Sequence, residues 1–269
     1  MSEKPFFKHS KPLNFAHRGF SGKFPEHTFL SFRNAIAAGA EALELDVRLT
    51  RDNRLMIIHD ETLERTTNGS GYVRDNYFID LEKLNAGYKF LIDGKKQVYP
   101  SLKEDDLRIP SLSQLFNEFP KCRFNIDIKQ NDKKTCEILW DLIREYKIQD
   151  KVLVASDNHE TIKYFRNVSK GNTATAASFK EVGNFILHKG LGILKRLNFD
   201  ADAMQIPEHY FGVRLLSEKF IQEAHKKNIF IHIWTVNQKA DMERLLKWGV
   251  DGIMTDFPDT LNELLKNYN

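Results

Sequence analysis

The sequence predicts an α/β fold, a (β/α)8 TIM barrel with a small insertion after the strand pair of its second unit. Three observations predict it. Short apolar, strand-like runs alternate with amphipathic, helix-like runs from end to end. Eight such units can be counted. The 269 residues suit one barrel of about 250 residues. No Gly-x-Gly-x-x-Gly follows any strand, so an open dinucleotide-binding sheet has no support. The chain reads as one domain, 1–269, with the insertion at about 60–110.

The elements follow in order. Residues 13–17 form an apolar strand. Residues 28–38 have helical periodicity, with Phe29, Phe32 and Ile36 on one face and Gly39 as the stop. Residues 42–49 alternate: Glu44, Asp46 and Arg48 share one face, and Leu43, Leu45, Val47 and Leu49 the other. A turn at 50–54 leads to an extra strand at 55–59 inside the second unit. Residues 60–110 are rich in Gly, Asn, Asp and Lys and lose the rhythm. They predict an insertion at the barrel mouth, with a helix near 81–85. Ser111 is the expected N-cap of a helix over 112–118. Strands are predicted at 123–128, 151–155, 173–177, 203–206, 229–236 and 252–255. Helices are predicted at 134–146, 160–166, 181–197, 217–227, 239–248 and 260–267.

Composition narrows the function. Hydrophobic residues make up 41%, charged residues 29%, and the net charge is +3. Lysines and arginines are scattered, which argues against a nucleic-acid partner. Cys122 and Cys136 form neither a disulfide framework nor a zinc motif. No secretory h-region precedes the first strand and no run is long enough to span a membrane, so a cytoplasmic location is expected. The apolar, basic segment 182–199 is expected to be an outer barrel helix, with peripheral membrane contact as the alternative. Its Gly183, Gly190 and Gly192 predict an irregular helix. The oligomeric state is left open.

In such barrels the active site lies at the C-terminal ends of the strands. His17, Glu44, Asp46, His59, Asp127, Lys129, Ser156, Gln205, Trp234 and Asp256 all fall there. Polar groups in apolar strands are costly to bury unless paired or ligated. Glu44 and Asp46 project to one side about 7 Å apart, a spacing at which like charges call for a cation. A divalent metal with oxygen ligands fits, and Asp127 offers a third oxygen; a cluster of ion pairs with Arg18, Arg48 or Lys129 is the plainer alternative. His17 and His59 end strands beside the carboxylates, where an imidazole can move protons near neutral pH. Arg18 offers a fork of donors to a phosphate, or a salt bridge to Glu44 or Asp256. Lys129 could stabilise a phosphate oxygen or pair with an acid. Trp234 would wall the pocket or join the core.

Taken in order, His17-Arg18-Gly19, Pro25-Glu26-His27-Thr28, Glu44-Leu45-Asp46-Val47, His59-Asp60, 125–129, 234–237 and 252–258 span nearly the whole chain. The chain resembles the metal-dependent glycerophosphodiester phosphodiesterases. The resemblance implies that His17 and His59 are the acid–base pair, that Glu44, Asp46 and Asp127 hold Mg²⁺ or Ca²⁺ (or Mn²⁺), and that Arg18 contacts phosphate. It implies hydrolysis of a small glycerophosphodiester to an alcohol and glycerol 3-phosphate. Two positions depart from the family's pattern: His27 stands where Asn is usual, and Asp127 where Glu is usual. His27 reads as a loop residue bonding backbone, or as a third titrating group. Residues 202–208 resemble a subgroup that cleaves lysophospholipids, so lysophospholipase D or sphingomyelinase-D-like cleavage is the alternative. A non-catalytic phosphate binder would need a missing group, and none is missing.

Overall fold

The computed structural model describes residues 4–92, 94–96, 105–210 and 212–268. Part of the predicted insertion, at 93 and 97–104, lies outside the described residues. The chain begins β1 (Leu13–His17), α1 (Phe29–Ala37), β2 (Ala42–Leu49), β3 (Leu55–Ile57), α2 (Phe78–Leu81), β4 (Leu91–Ile92) and β5 (Lys95–Lys96). It continues α3 (Leu112–Glu118), β6 (Arg123–Ile128), α4 (Lys133–Glu145), β7 (Val152–Ala155), α5 (His159–Ser169), β8 (Ala174–Thr175) and α6 (Phe179–Gly190). It ends β9 (Ala203–Ile206), β10 (His209–Tyr210), β11 (Val213–Arg214), α7 (Glu218–His225), β12 (Phe230–Ile233), α8 (Lys239–Lys247), β13 (Gly252–Thr255) and α9 (Pro258–Lys266).

Eight parallel strands run in the order β8-β7-β6-β2-β1-β13-β12-β9. A parallel bridge from Ala176 to Ala203 joins the two ends of that order, and the Ala177 N–H donates to Ala203 O at 2.8 Å. The result is the predicted barrel. The extra strand β3 lies antiparallel on β2, outside the ring.

Strand alternation sorts the side chains. Leu43, Leu45, Val47, Phe124, Ile126 and Val154 pack outward under the helices. Met204, Ile206, Ile231, Ile233 and Ile253 do the same on the other half. Leu13, Phe15, Ala42, Leu153, Ala155, Ala203 and Met254 fill the lumen, and Phe6 and Phe7 plug its N-terminal end. Phe7 stacks on Phe230 with ring centroids 4.0 Å apart. The polar faces of β1, β2 and β6 are thereby forced inward at the open, C-terminal end.

Several predicted boundaries move. The 173–177 strand shrinks to the two residues of β8. The insertion's helix sits at Phe78–Leu81 rather than 81–85, because Asp52 Oδ1 accepts from the Phe78 N–H at 2.9 Å and fixes its start. The irregular helix expected over 181–197 is regular from Phe179 to Gly190. Ser178 and Glu181 cap it reciprocally, and a separate 3₁₀ turn covers Leu194–Arg196. Val182 and Phe185 face the core, whereas Leu187 and Leu191 are exposed. The 229–236 strand stops at Ile233, and Trp234 runs on into a loop at the rim. Among the described residues no helix is long and apolar enough to cross a membrane.

Gly252 permits the lumen packing. A Cβ there would lie 2.5 Å from the Phe15 ring and 3.0 Å from His232, and both neighbours are fully buried. Gly252→Ala is expected to lower stability by about 1–3 kcal/mol through overpacking. Chemical denaturation checks this, and an unchanged midpoint would contradict it.

Candidate active site

Strand register assembles the site. His17 pairs across to Glu44, Glu44 to Asn125, and Asp46 to Asp127. These residues alternate inward, so Glu44 and Asn125 form one layer and Asp46 and Asp127 the next layer towards the mouth. A cavity of about 220 Å³ opens there. His17, Arg18, Glu44, Asp46, His59, Asp127, Lys129, Ser156, Gln205 and Trp234, all singled out in the sequence, line it; Asp256, singled out with them, is not among the lining residues and instead bonds His17. A larger cleft of about 480 Å³ lies at the opposite end, beside Phe7, Phe230 and Asp251. It holds none of these groups.

The turn after β1 is built for this rim. Arg18 and Gly19 both have positive φ, 56° and 85°. A Cβ on Gly19 would lie 2.3 Å from Ser31 Oγ, so only glycine lets the turn sit against α1. The turn aims the Arg18 N–H at Glu44 Oε2, 3.0 Å away.

Each imidazole is held through Nδ1. His17 Nδ1 lies 2.7 Å from Asp256 Oδ1. Asp256 is itself fixed by Ser21 Oγ at 2.8 Å and Asn237 Nδ2 at 2.6 Å. His59 Nδ1 lies 2.6 Å from Asp60 Oδ1. Arg65 of the insertion grips Asp60 and forks onto Glu26 at 2.6 and 2.9 Å. Glu26 also accepts from Arg18 Nη1 at 3.1 Å. Burial alone would lower the His17 pKa; the Asp256 hydrogen bond and the Glu44 charge outweigh it and leave the pKa raised. Burial opposes the Glu26 charge, but Arg65, His27 and Arg18 hold its carboxyl well below the usual range.

The acids at the centre are strained electrostatically. Burial, then Asp46, pushes Glu44 up to about 7. Asp46 is held down: burial opposes its charge, and His27, Lys129 and Arg18 outweigh that. Burial drives His27 itself down to about 3, so at neutral pH Lys129 and Arg18 are the cations involved. Burial, with Asp46 and Asp157, pushes Asp127 up to about 6 despite Lys129. Lys129 Nζ sits between two acids, 2.6 Å from Asp127 Oδ2 and 3.2 Å from Asp46 Oδ1. Arg18 Nε is 3.4 Å from Asp46 Oδ2. Asp46 Oδ2 and Asp127 Oδ1 are buried without a hydrogen-bond partner. That surplus of oxygen acceptors suits a hard divalent cation. Among the described residues no three acids or imidazoles already form a cage for an ion; Lys129 stands between two of them.

His27 is the loop residue that bonds backbone. It is buried, and its Nε2 accepts from the Asp46 N–H at 3.3 Å. Sequence reasoning missed Ser21, Asn237 and Arg65, and with them the carboxylate framing of both imidazoles. Only the His59-Asp60 adjacency and the strand-end position of Asp256 signalled any of this. Arg65 lies in an aperiodic insertion and Asn237 in a loop, where no pattern marks a partner.

Comparison with known proteins places the chain in a family. The model of the glycerophosphoryl diester phosphodiesterase family matches residues 17–260. The glycerophosphodiester phosphodiesterase of Caldanaerobacter subterraneus subsp. tengcongensis is 36% identical over 261 residues, 95% of this chain and 98% of the relative. The Bacillus subtilis enzyme of the same name is 30% identical over 274 residues, 95% of this chain and 87% of the relative. The solved structure of an Oleispira antarctica phosphodiesterase, in complex with its product sn-glycerol 3-phosphate, superposes with a TM-score of 0.75 at 21% identity, covering 95% of this chain and 97% of that one. The chain belongs to the glycerophosphoryl diester phosphodiesterase family.

Proposed function

We propose that this chain hydrolyses glycerophosphodiesters to an alcohol and glycerol 3-phosphate, using His17 and His59 for proton transfer and a divalent cation, Mg²⁺, Ca²⁺ or Mn²⁺, at Glu44, Asp46 and Asp127. One observation carries the reading: two imidazoles, each pinned at Nδ1 by a carboxylate, share one cavity with three acids, Glu44 and Asp46 buried and Asp127 half-buried. Pinning Nδ1 leaves Nε2 as the working nitrogen on both rings.

The residues divide the chemistry. Arg18 presents guanidinium donors to the phosphate. Lys129 supplies a second positive charge for a non-bridging oxygen. The nucleophile, water or the substrate's neighbouring hydroxyl, loses its proton to one imidazole as its oxygen bonds to phosphorus. The phosphorus–oxygen bond to the alcohol breaks, and the other imidazole protonates the departing alkoxide. If the neighbouring hydroxyl attacks first, water opens the cyclic phosphate in a second turn of the same relay. A bound divalent cation would polarise the phosphoryl oxygens and neutralise developing charge. The orphaned oxygens of Asp46 and Asp127 support that donor set. Asp256 and Asp60 act through the imidazoles and are positioning residues.

Three outcomes follow. His17→Ala and His59→Ala should each lower kcat by ~10²–10⁴-fold with an unchanged circular dichroism spectrum; near-full activity in either removes the relay. Chelation should abolish turnover, and adding Mg²⁺ or Ca²⁺ should restore it and raise Tm. At a hundredfold excess over Kd the gain is about 2.7 kcal/mol, and Asp46→Asn should show little of it. Asp256→Asn removes a cause that raises the His17 pKa. The limb of the pH–rate profile that belongs to His17 should therefore move to lower pH, with kcat reduced; a limb that stays in place contradicts the pairing.

A further inference from the structure

Helix α6 is packed on one side. Val182 and Phe185 sink into the core beneath it, beside Leu216 and Phe220. Its opposite side carries Phe179, Gly183, Leu187 and, at the C-cap, Leu191. That spacing of four residues stacks side chains along one helical face. Phe179 is 45% exposed, Leu187 56% and Leu191 63%. Among the described residues, nothing covers the glycines around this stripe: a Cβ built on Gly183, Gly190 or Gly192 would meet no neighbour within 4 Å.

Single exposed leucines are ordinary on a protein surface. The charge around these two is one-sided. Residues 182–199 contain Lys189, Lys195 and Arg196 and no Asp or Glu. Glu181, at the start of the helix, is taken by Arg166, and Lys180 beside it is exposed. The 3₁₀ turn Leu194–Arg196 packs back against α6. Its Leu194, with Leu197, turns to the core, while Lys195 and Arg196 are exposed. A helix favours cations near its last turn, which suits Lys195 and Arg196. Lys180 stands in the first turn, where the helix dipole disfavours it. The whole stripe thus has a basic border.

Size and sign decide what such a face can hold. A stable protein partner takes ~800 Å² from each side, more than one phenylalanine and two leucines along one helix supply. An anionic lipid surface needs less: a few apolar side chains below the headgroups, with lysines and arginines at headgroup level. We propose that the outer face of α6, with the turn at 194–196, docks the protein on anionic phospholipid bilayers. Leu187 and Leu191 enter the interface, and Lys180, Lys195 and Arg196 meet the lipid phosphates. The fold sets how the barrel lies. Helix α6 begins next to Ala177, which lines the catalytic cavity, and runs along the wall towards the other end. With that wall on the bilayer, the cavity opens along the membrane plane, into water. Docking therefore concentrates the protein at a membrane without placing its cavity in lipid, and it stands independently of the phosphodiesterase reading.

The test is sedimentation of the full chain with vesicles, either phosphatidylcholine alone or phosphatidylcholine mixed with phosphatidylglycerol. Wild type should pellet with the mixed vesicles and stay in solution with the neutral ones, and raised salt should release it. Lys195→Gln combined with Arg196→Gln should lower the partition coefficient ~10–30-fold, the loss of two charges at an anionic surface. Leu187→Glu combined with Leu191→Glu should lower it by ~10-fold or more. Both variants should hydrolyse glycerophosphocholine in vesicle-free solution as wild type does, since none of the four residues lines the cavity. Wild type that ignores the mixed vesicles, or binds neutral ones equally well, would overturn the docking surface whether or not the variants fold. Undiminished binding by either folded variant would overturn it too. So would self-association of wild type that Leu191→Glu abolishes, because the face would then belong to a second copy of the chain.

Discussion

Three carboxylates crowded at one rim of a barrel, two of them buried, cannot all carry charge without cations among them. That constraint organises the site. The register of β2 against β6 sets Asp46 beside Asp127, with Glu44 one layer below. Burial lifts Glu44 and Asp127 towards neutrality, while Lys129 and Arg18 hold Asp46 ionised. The protein's own cations thus compensate only part of the negative charge. A divalent ion would complete the balance, and with Arg18 it would bring the compensating charge to the place where a phosphate gains charge during cleavage.

The imidazoles depend on the same frame at one remove. The barrel brings Asp256, on the last strand's exit, to His17 on the first. The insertion brings Arg65 to Asp60 and Glu26, tying His59 and Arg18 to one ionic network. An insertion of little regular structure is thereby part of the site. The neutral floor of Asn125, Gln205 and His232 contrasts with the charged rim.

Much of this was legible in the sequence, for identifiable reasons. Alternation in 42–49 placed Glu44 and Asp46 on one face, and β2 runs as expected from Ala42 to Leu49. A strand end located His17, whereas the strand expected over 55–59 stops at Ile57 and leaves His59 in the loop that follows. Strict periodicity made β1, β6, β9 and β13 readable to the residue. What was not legible depends on ring closure or on loops. The His17–Asp256 contact joins residues 239 positions apart. The Asn125–Gln205 contact crosses the lumen, which no local pattern encodes. Geometry decided the ion pairs: Lys129 lies on Asp127 and Asp46, and the Arg18 side chain pairs with Glu26 and Asp46 instead of the expected Glu44 or Asp256. The start of α6 was misplaced because the Ser178–Glu181 cap outweighs the glycines that follow it.

The central claim concerns what Glu44, Asp46 and Asp127 are for. Its most direct test is a crystal structure of the chain soaked in Mn²⁺, with the ion located by anomalous scattering. The account predicts a single ion about 2.0–2.6 Å from carboxylate oxygens of all three acids, with Lys129 withdrawn from between Asp46 and Asp127. Lys129 still bridging those two acids, and manganese absent or bound elsewhere, would contradict it.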